Sequence, residues 1–326
     1  MPRVRYADKR LRADALNIIG RSNAIIEEYA AQGFTLTLRQ LYYQFVARGW
    51  IANRQTEYKR LGGIVSDGRM TGRIDWLAIE DRTRSLRDLP HWDSPESILE
   101  SAAASFAYDK WARQPSRVEV WIEKDALVGV IAGVCEQNDV PYFSCRGYTS
   151  QSEVWRAAQR LGRYLQNGQD IQILHMGDHD PSGIDMTRDI EDRISTFLVH
   201  DALYASGTID HNEAQAISRS ALDKFQVDRV ALNMDQVREF NPPPNPAKFT
   251  DSRYRNYVIE HGGESWELDA LDPPTLAGLI EDRVLALRDD AIWQEDLDRE
   301  ETEQAHLRDA SDNWTEVVTF LEGAPG

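Results

Sequence analysis

The sequence predicts an α/β protein: a Rossmann-like, doubly wound parallel sheet with a mainly helical module before it and helices after it. Three observations carry that expectation. From Arg117 to about His200, β-rich runs alternate with helical patterns across short connections, as in a parallel sheet with crossover helices. Ahead of that region, apolar residues recur at helical spacing. Behind it, after the rigid break NPPPNP (Asn241–Pro246), helical patterns return and acidic residues dominate.

The elements follow in order. LTLRQLYYQFVARG (Leu36–Gly49) predicts a helix, with Thr37 as N-cap and Gly49 as stop. Leu38, Leu41, Tyr42 and Phe45 form one apolar stripe on it, with Val46 on the margin. TEYKRLGGIVSDGRMTGRIDWLAIEDRTR (Thr56–Arg84) reads as a helix, a glycine-rich turn and a short strand pair. The polar stretch that follows is expected to be a linker. RVEVWI, VPYFSC and IQILHM are the strands of the alternating region. Between them lie the helical patterns DALVGVIAGVCEQN and TSQSEVWRAAQRLGRYLQNG, the latter closed by Gly168, and IDMTRDIEDRISTFLVH follows the last strand. VDRVALNM is one further apolar run. The expected organisation is a module over 1–92, a linker over 93–116, a sheet domain over 117–270 and an acidic helical extension over 271–326.

Composition narrows the function classes. The chain of 326 residues is 41% hydrophobic and 28% charged, which suits a globular protein with a sizeable core. It has no apolar run long enough to span a bilayer, and its N-terminus lacks the apolar core of a signal peptide. Cys135 and Cys145 are too few for a disulfide framework or a zinc site, so a reducing, cytoplasmic setting is expected. The net charge of −17 argues against a polyanionic partner until it is divided along the chain. Residues 1–92 hold 16 Lys+Arg against 10 Asp+Glu, a net of +6, so the remainder carries −23. One end suits an anion; the other repels it.

Two strands end in acids. RVEVWI is followed by Glu123 and Lys124, and IQILHM by Gly177, Asp178, His179 and Asp180. Working residues of open parallel sheets lie beyond the carboxyl ends of the strands. If those strands are neighbours, three carboxylates meet, and like charges that close need a cation or a proton. Oxygen-only ligands suit a hard ion, Mg²⁺ or Mn²⁺. Asp-x-Asp alone also describes a turn with a capping aspartate. His179 has no partner at a metal-ligand spacing and reads as a flanking residue.

VEVWIEKDAL followed by GDHDPSG resembles the Toprim domain shared by topoisomerases, primases and some nucleases. The resemblance implies that Glu123, Asp178 and Asp180 hold Mg²⁺, with Lys124 as a supporting residue.

The other informative stretch contains Tyr42 and Tyr43. Tyr42 falls within the apolar stripe and reads as core. Tyr43 lies about 100° further round, one turn after Arg39. A guanidinium beside a phenol favours the phenolate and can also hold a phosphate; a surface tyrosine packed beside an arginine would look the same. Lys59, Arg60, Arg69 and Arg73 follow, compatible with a winged helix-turn-helix offered to DNA or with a soluble basic face.

RQLYY ahead of a Toprim-like pattern is similar to the DNA-cleaving component of topoisomerase VI and its relatives, a family that includes the meiotic double-strand-break transesterase. SWELDAL (Ser265–Leu271) also looks like that family's C-terminal portion. The resemblance implies a winged-helix module followed by a Toprim domain. It puts the nucleophile on Tyr43, with Arg39 in support, and implies Mg²⁺-dependent cleavage of double-stranded DNA by a homodimer at the nucleoid. The chain has no glycine-rich ATP site, which leaves room for an ATPase on a separate polypeptide. In such a dimer, tyrosine and metal meet across the interface, so Tyr43 is expected to lie far from Asp178 within one chain. Two alternatives stand beside this reading: a Toprim nuclease that uses water, and a non-catalytic DNA-binding component of a larger complex.

Overall fold

A computed structural model describes residues 3–79, 89–199 and 223–323. The chain forms two compact units, one from Met1–Arg84 and Val118–Ala286, the other from Ser85–Arg117 and Leu287–Gly326.

The first unit opens with helices α1 (Ala13–Ala30), α2 (Leu38–Ala47) and α3 (Gln55–Met70). They close on Ile25, Leu36, Leu41, Phe45 and Ile74, all essentially out of water. Thr37 caps α2 as expected. Its side chain accepts from the Gln40 backbone N–H, and the Gln40 side chain accepts from the Thr37 N–H, a reciprocal arrangement worth about 1 kcal/mol. The glycine-rich turn expected inside α3 does not form; the helix runs through Gly62 and Gly63. Two interior glycines cost about 1 kcal/mol each. Leu61 and Val65, one turn apart, sink into the core and each return about 1.5–3 kcal/mol. Burial wins. Gly68 on the same helix packs closely on Ile74; a Cβ there would stand 2.8 Å from Ile74 Cδ1, so that side chain would have to shift. The strand pair of the expected wing is likewise not formed among the described residues. Residues 71–79 make only isolated bridges, Thr71 to Arg5 and Ile79 to Leu36, and 80–88 lie outside the described residues.

The sheet has four parallel strands in the order β2-β1-β3-β4, from β1 (Ser116–Ile122), β2 (Tyr142–Ser144), β3 (Asp170–Met176) and β4 (Phe225–Ala231). The run VDRVALNM thus supplies the fourth strand. The two central strands, β1 and β3, are buried along most of their length, which is why they read as apolar runs without alternation. Glu119 is a buried charge inside β1, as is Arg117. At 2% exposure Glu119 is held by the Arg160 guanidinium at 2.7 and 2.9 Å and by the Trp121 indole N–H at 3.0 Å. Helices α5 (Val128–Gln137), α6 (Gln151–Gln166) and α7 (Pro181–Val199) make the crossovers. Val154 and Leu161 of α6 and Ile190 and Ile194 of α7 pack against Trp121, Ile171 and Ile173. The last residue of the expected helix after the aspartate loop, His200, lies outside the described residues. Past β4 come α8 (Met234–Phe240), β5 (Asn245–Pro246) paired antiparallel with β6 (Glu264–Ser265), α9 (Tyr254–His261) and α10 (Pro273–Leu287).

The second unit corrects the expectation of a plain linker. Residues 93–116 carry α4 (Pro95–Ser105), capped by Ser94, and α4 packs on the acidic α11 (Asp290–Asp312). Trp111, fully buried, meets Trp293 edge to face at 6.3 Å between ring centres. Lys110 pairs with Glu300 at 2.8 Å and Arg113 with Asp296 at 3.0 Å. The chain's last described helix, α12 (Trp314–Gly323), buries no side chain.

Candidate functional site

Adjacency of β1 and β3 brings the two acidic strand ends together. The Glu123 N–H donates to the Met176 carbonyl at 2.8 Å, and Glu123 Oε2 accepts from the Asp178 N–H at 2.8 Å. Asp178 Oδ1 accepts from the Leu268 N–H and pairs with Lys124 Nζ, both at 2.8 Å. Asp180 caps α7: its Oδ1 accepts from the Ser182 hydroxyl at 2.8 Å and the Gly183 N–H at 2.6 Å. The capping role is therefore real for Asp180. The loop can close this tightly because residue 183 lacks a side chain; a Cβ there would fall 2.2 Å from the Asp178 carbonyl oxygen.

The charges of this end act on one another. Burial, with the Asp178 charge beside it, pushes the Glu123 carboxyl up to about 7. Burial also raises Asp178, although Lys124 pulls the other way. Beneath the loop, Arg229 of β4 donates to the carbonyls of Gly183 (2.8 Å), Gly177 (3.1 Å) and Asp178 (2.6 Å). Its burial draws that guanidinium down to about 10, against the pull of Glu123, Asp178 and Asp180.

Lys124, expected only in support, sits at the centre. Its ammonium lies 2.8 Å from Asp178, 2.9 Å from Asp269 and 3.1 Å from Glu267. Glu267 and Asp269 belong to SWELDAL. That segment is fixed on the sheet end by a two-way backbone pairing of Trp266 with His179, at 2.8 and 2.9 Å. Buried Tyr257 braces it, its hydroxyl within 2.9 Å of the His179 and Glu264 carbonyls and 2.8 Å from His179 Nδ1. His179 is thus a structural pin.

The same acids hold the tyrosine helix. Arg39 Nε pairs with Asp269 at 2.8 Å, another guanidinium nitrogen of Arg39 pairs with Glu267, and that nitrogen donates to the Tyr43 hydroxyl at 3.4 Å. Burial raises Glu267, yet Lys124 and Arg39 hold it down to about 2. Two corrections follow. Tyr43 is not at the surface; only 4% of it is exposed, hardly different from Tyr42 at 5%. Its phenol is pushed up rather than down, because burial and the charges of Asp269 and Glu267 outweigh Arg39. Nor is Tyr43 remote from Asp178 within one chain. Four contacts join them, Tyr43–Arg39–Asp269–Lys124–Asp178, of 3.4, 2.8, 2.9 and 2.8 Å.

The basic residues divide. Lys59 and Arg73 are exposed. Arg60 is exposed but paired with Glu57 at 3.1 Å and Asp14 at 3.3 Å. Arg69 turns inward, donating to the Ile79 and Trp76 carbonyls, and its burial lowers its pKa. It fastens the end of the module and does not face outward as a phosphate contact.

Among the described residues, no group of three or more His, Cys, Asp or Glu side chains is arranged to hold a metal ion. The donor chemistry nonetheless fits a hard cation. Glu123, Asp178 and Asp180 each use one carboxylate oxygen in the hydrogen bonds above and keep the other outside them. Among the described residues no helix is long and apolar enough to cross a membrane. No protein-family model matches the chain, and no curated protein or solved structure matches it either.

Proposed function

We propose that the protein cuts double-stranded DNA by transesterification at Tyr43. The observation behind this reading is the run of contacts that joins Tyr43 and Arg39 to Glu123, Asp178 and Asp180 inside one chain. Tyr43 Oη attacks phosphorus, a phosphotyrosyl bond forms, and the bond from phosphorus to the leaving deoxyribose oxygen breaks. The phenolic proton ends on that oxygen. Arg39 donates to the phenol and stabilises it as the proton leaves. Mg²⁺ or Mn²⁺ held by Glu123, Asp178 and Asp180 would neutralise charge on the scissile phosphate. Two chains acting as a homodimer would serve two strands, and the ATPase would be a separate partner. The sheet-end acids and the tyrosine would then act from the same chain.

A second reading keeps the carboxylates and uses water as the nucleophile. Burial of Tyr43 and the upward shift of its phenol favour it. Supercoiled plasmid with Mg²⁺ or Mn²⁺, followed by a search for protein linked to DNA 5′ ends, separates the two. Transesterification gives an adduct that Tyr43→Phe abolishes. Hydrolysis gives cleavage without adduct, which Tyr43→Phe survives and Asp178→Ala does not. If the wild type neither cuts nor links to DNA, both enzymatic readings fail, and a DNA-binding component of a larger complex is what remains.

A further inference from the structure

Tyr43 borders a polar cleft of about 250 Å³, lined among others by Arg39, Arg54, Tyr58, Asn245 and Glu267. Small-molecule sites usually run to about 300–1,000 Å³, so this one suits a single group of a larger ligand. The charges around it have unequal freedom. Arg39 is committed to Glu267 and Asp269, and Glu267 is in turn matched by Arg39 and Lys124. Arg54 is different. It is exposed, and its guanidinium makes no ion pair or hydrogen bond among the described residues. The lining therefore carries one uncompensated positive charge, and it sits on Arg54.

The loop that presents Arg54 is fixed. The Tyr42 hydroxyl lies 2.9 Å from Asn53 Oδ1 and 3.3 Å from the Arg54 carbonyl oxygen. The Asn53 amide donates to Asn245 Oδ1 at 2.9 Å, tying this loop to β5. Tyr42, with its ring against Tyr43 and Tyr58 at 5.3 and 5.4 Å, thus sets the place of Arg54 relative to the tyrosine next to it. Arg54 is itself the N-cap of α3, which has no side-chain cap; the acid of its first turn, Glu57, is paired with Arg60.

We infer that Arg54 is the phosphate-binding residue of this cleft, holding a backbone phosphodiester of DNA beside Tyr43 while Arg39 is reserved for positioning the phenol. This rests on the proposed function for the identity of the ligand. A guanidinium fits the chemistry, since its fork matches two phosphate oxygens and stays charged. A phosphate contact carries no base information, so the effect of Arg54 should be the same for every DNA sequence.

The test is fluorescence anisotropy with labelled duplexes of two unrelated sequences, over a series of salt concentrations. Wild type, Arg54→Gln, Arg54→Lys and Arg163→Gln are compared, the last an exposed arginine near the end of α6 that leads into β3. Circular dichroism confirms that each variant is folded. Arg54→Gln should bind both duplexes about tenfold more weakly and lower the salt slope by about one. Arg54→Lys should restore the slope and part of the affinity, and Arg163→Gln should behave as wild type. Unchanged affinity and slope in Arg54→Gln, or no binding by the wild type, overturns the assignment. Loss in Arg54→Gln together with a wild type that forms no covalent adduct leaves the phosphate site standing and sinks the transesterase reading alone.

Discussion

Replacing Glu123 by glutamine should stabilise the protein, and should do so only above about pH 5. The Glu123 carboxyl is moved from an ordinary 4.5 to about 7, chiefly by burial and then by the charge of Asp178. The unfolded chain loses this proton near 4.5 and the folded chain near 7. Between those values the folded state binds more protons, so stability falls as pH rises, and the deficit is complete above 7. At about 1.4 kcal/mol for each pH unit, it amounts to about 3 kcal/mol. Glutamine cannot ionise and keeps a carbonyl oxygen for the Asp178 N–H. The variant should therefore match the wild type near pH 4 and exceed it by about 3 kcal/mol at pH 8. For a unit of this size that is about 6–12 °C in melting temperature. Thermal melts followed by circular dichroism in EDTA measure it. Both proteins contain His175 and His179, pushed down to about 3 and about 4 by burial, so their acid destabilisation cancels in the comparison. Adding Mg²⁺ at pH 8 should raise the wild type and narrow the gap. A difference between the two proteins that is the same at pH 4 and pH 8 refutes the reasoning.

Three further outcomes are expected. Gly183→Ala places a methyl 2.2 Å from the Asp178 carbonyl oxygen, so the aspartate loop must open; a loss of about 2–4 kcal/mol by urea titration is expected, and an unchanged midpoint would show that the loop yields freely. Asp269→Ala strands Arg39 and Lys124 on what remains of their partners and should cost about 3–5 kcal/mol, whereas Asp269→Asn should cost less and still separate the two cations. Mixing Tyr43→Phe with Asp178→Ala chains should restore no plasmid nicking, since both groups belong to one chain's network; recovery of nicking would mean that sites are shared between chains.

The sheet end is legible in the sequence because strand, acid and turn follow one another locally. Alternation and the rule for parallel sheets are enough to place Glu123 and Asp178 beyond strand ends; that those strands are neighbours is a matter of sheet order, which no local pattern gives. The flank of Tyr43 reads as open from the helical period alone. It is covered by the Leu268–Ala270 turn, more than two hundred residues away in sequence, which no local period reveals. Glu267 and Asp269 lie in a recognisable motif, but their role depends on Trp266 pairing with His179, a long-range contact. Arg229 leaves only a weak signal, since it stands beside a second charge, Asp228, inside β4. The expected glycine-rich turn fails because two adjacent glycines are locally costly in a helix, while the burial of Leu61 and Val65 that offsets them is tertiary.

The pairing of α4 with α11 also sets an order of events. These helices lie nearly two hundred residues apart, and Trp111, Lys110 and Arg113 meet Trp293, Glu300 and Asp296, all in the chain's final third. During synthesis the first partner must wait, with its apolar face uncovered, until almost the whole chain has emerged. Closing so long a loop costs entropy before any contact repays it. The second unit is therefore expected to fold last. Trimming the acidic tail would not remove an appendage; it would leave a tryptophan and a helix without the core they were made to share.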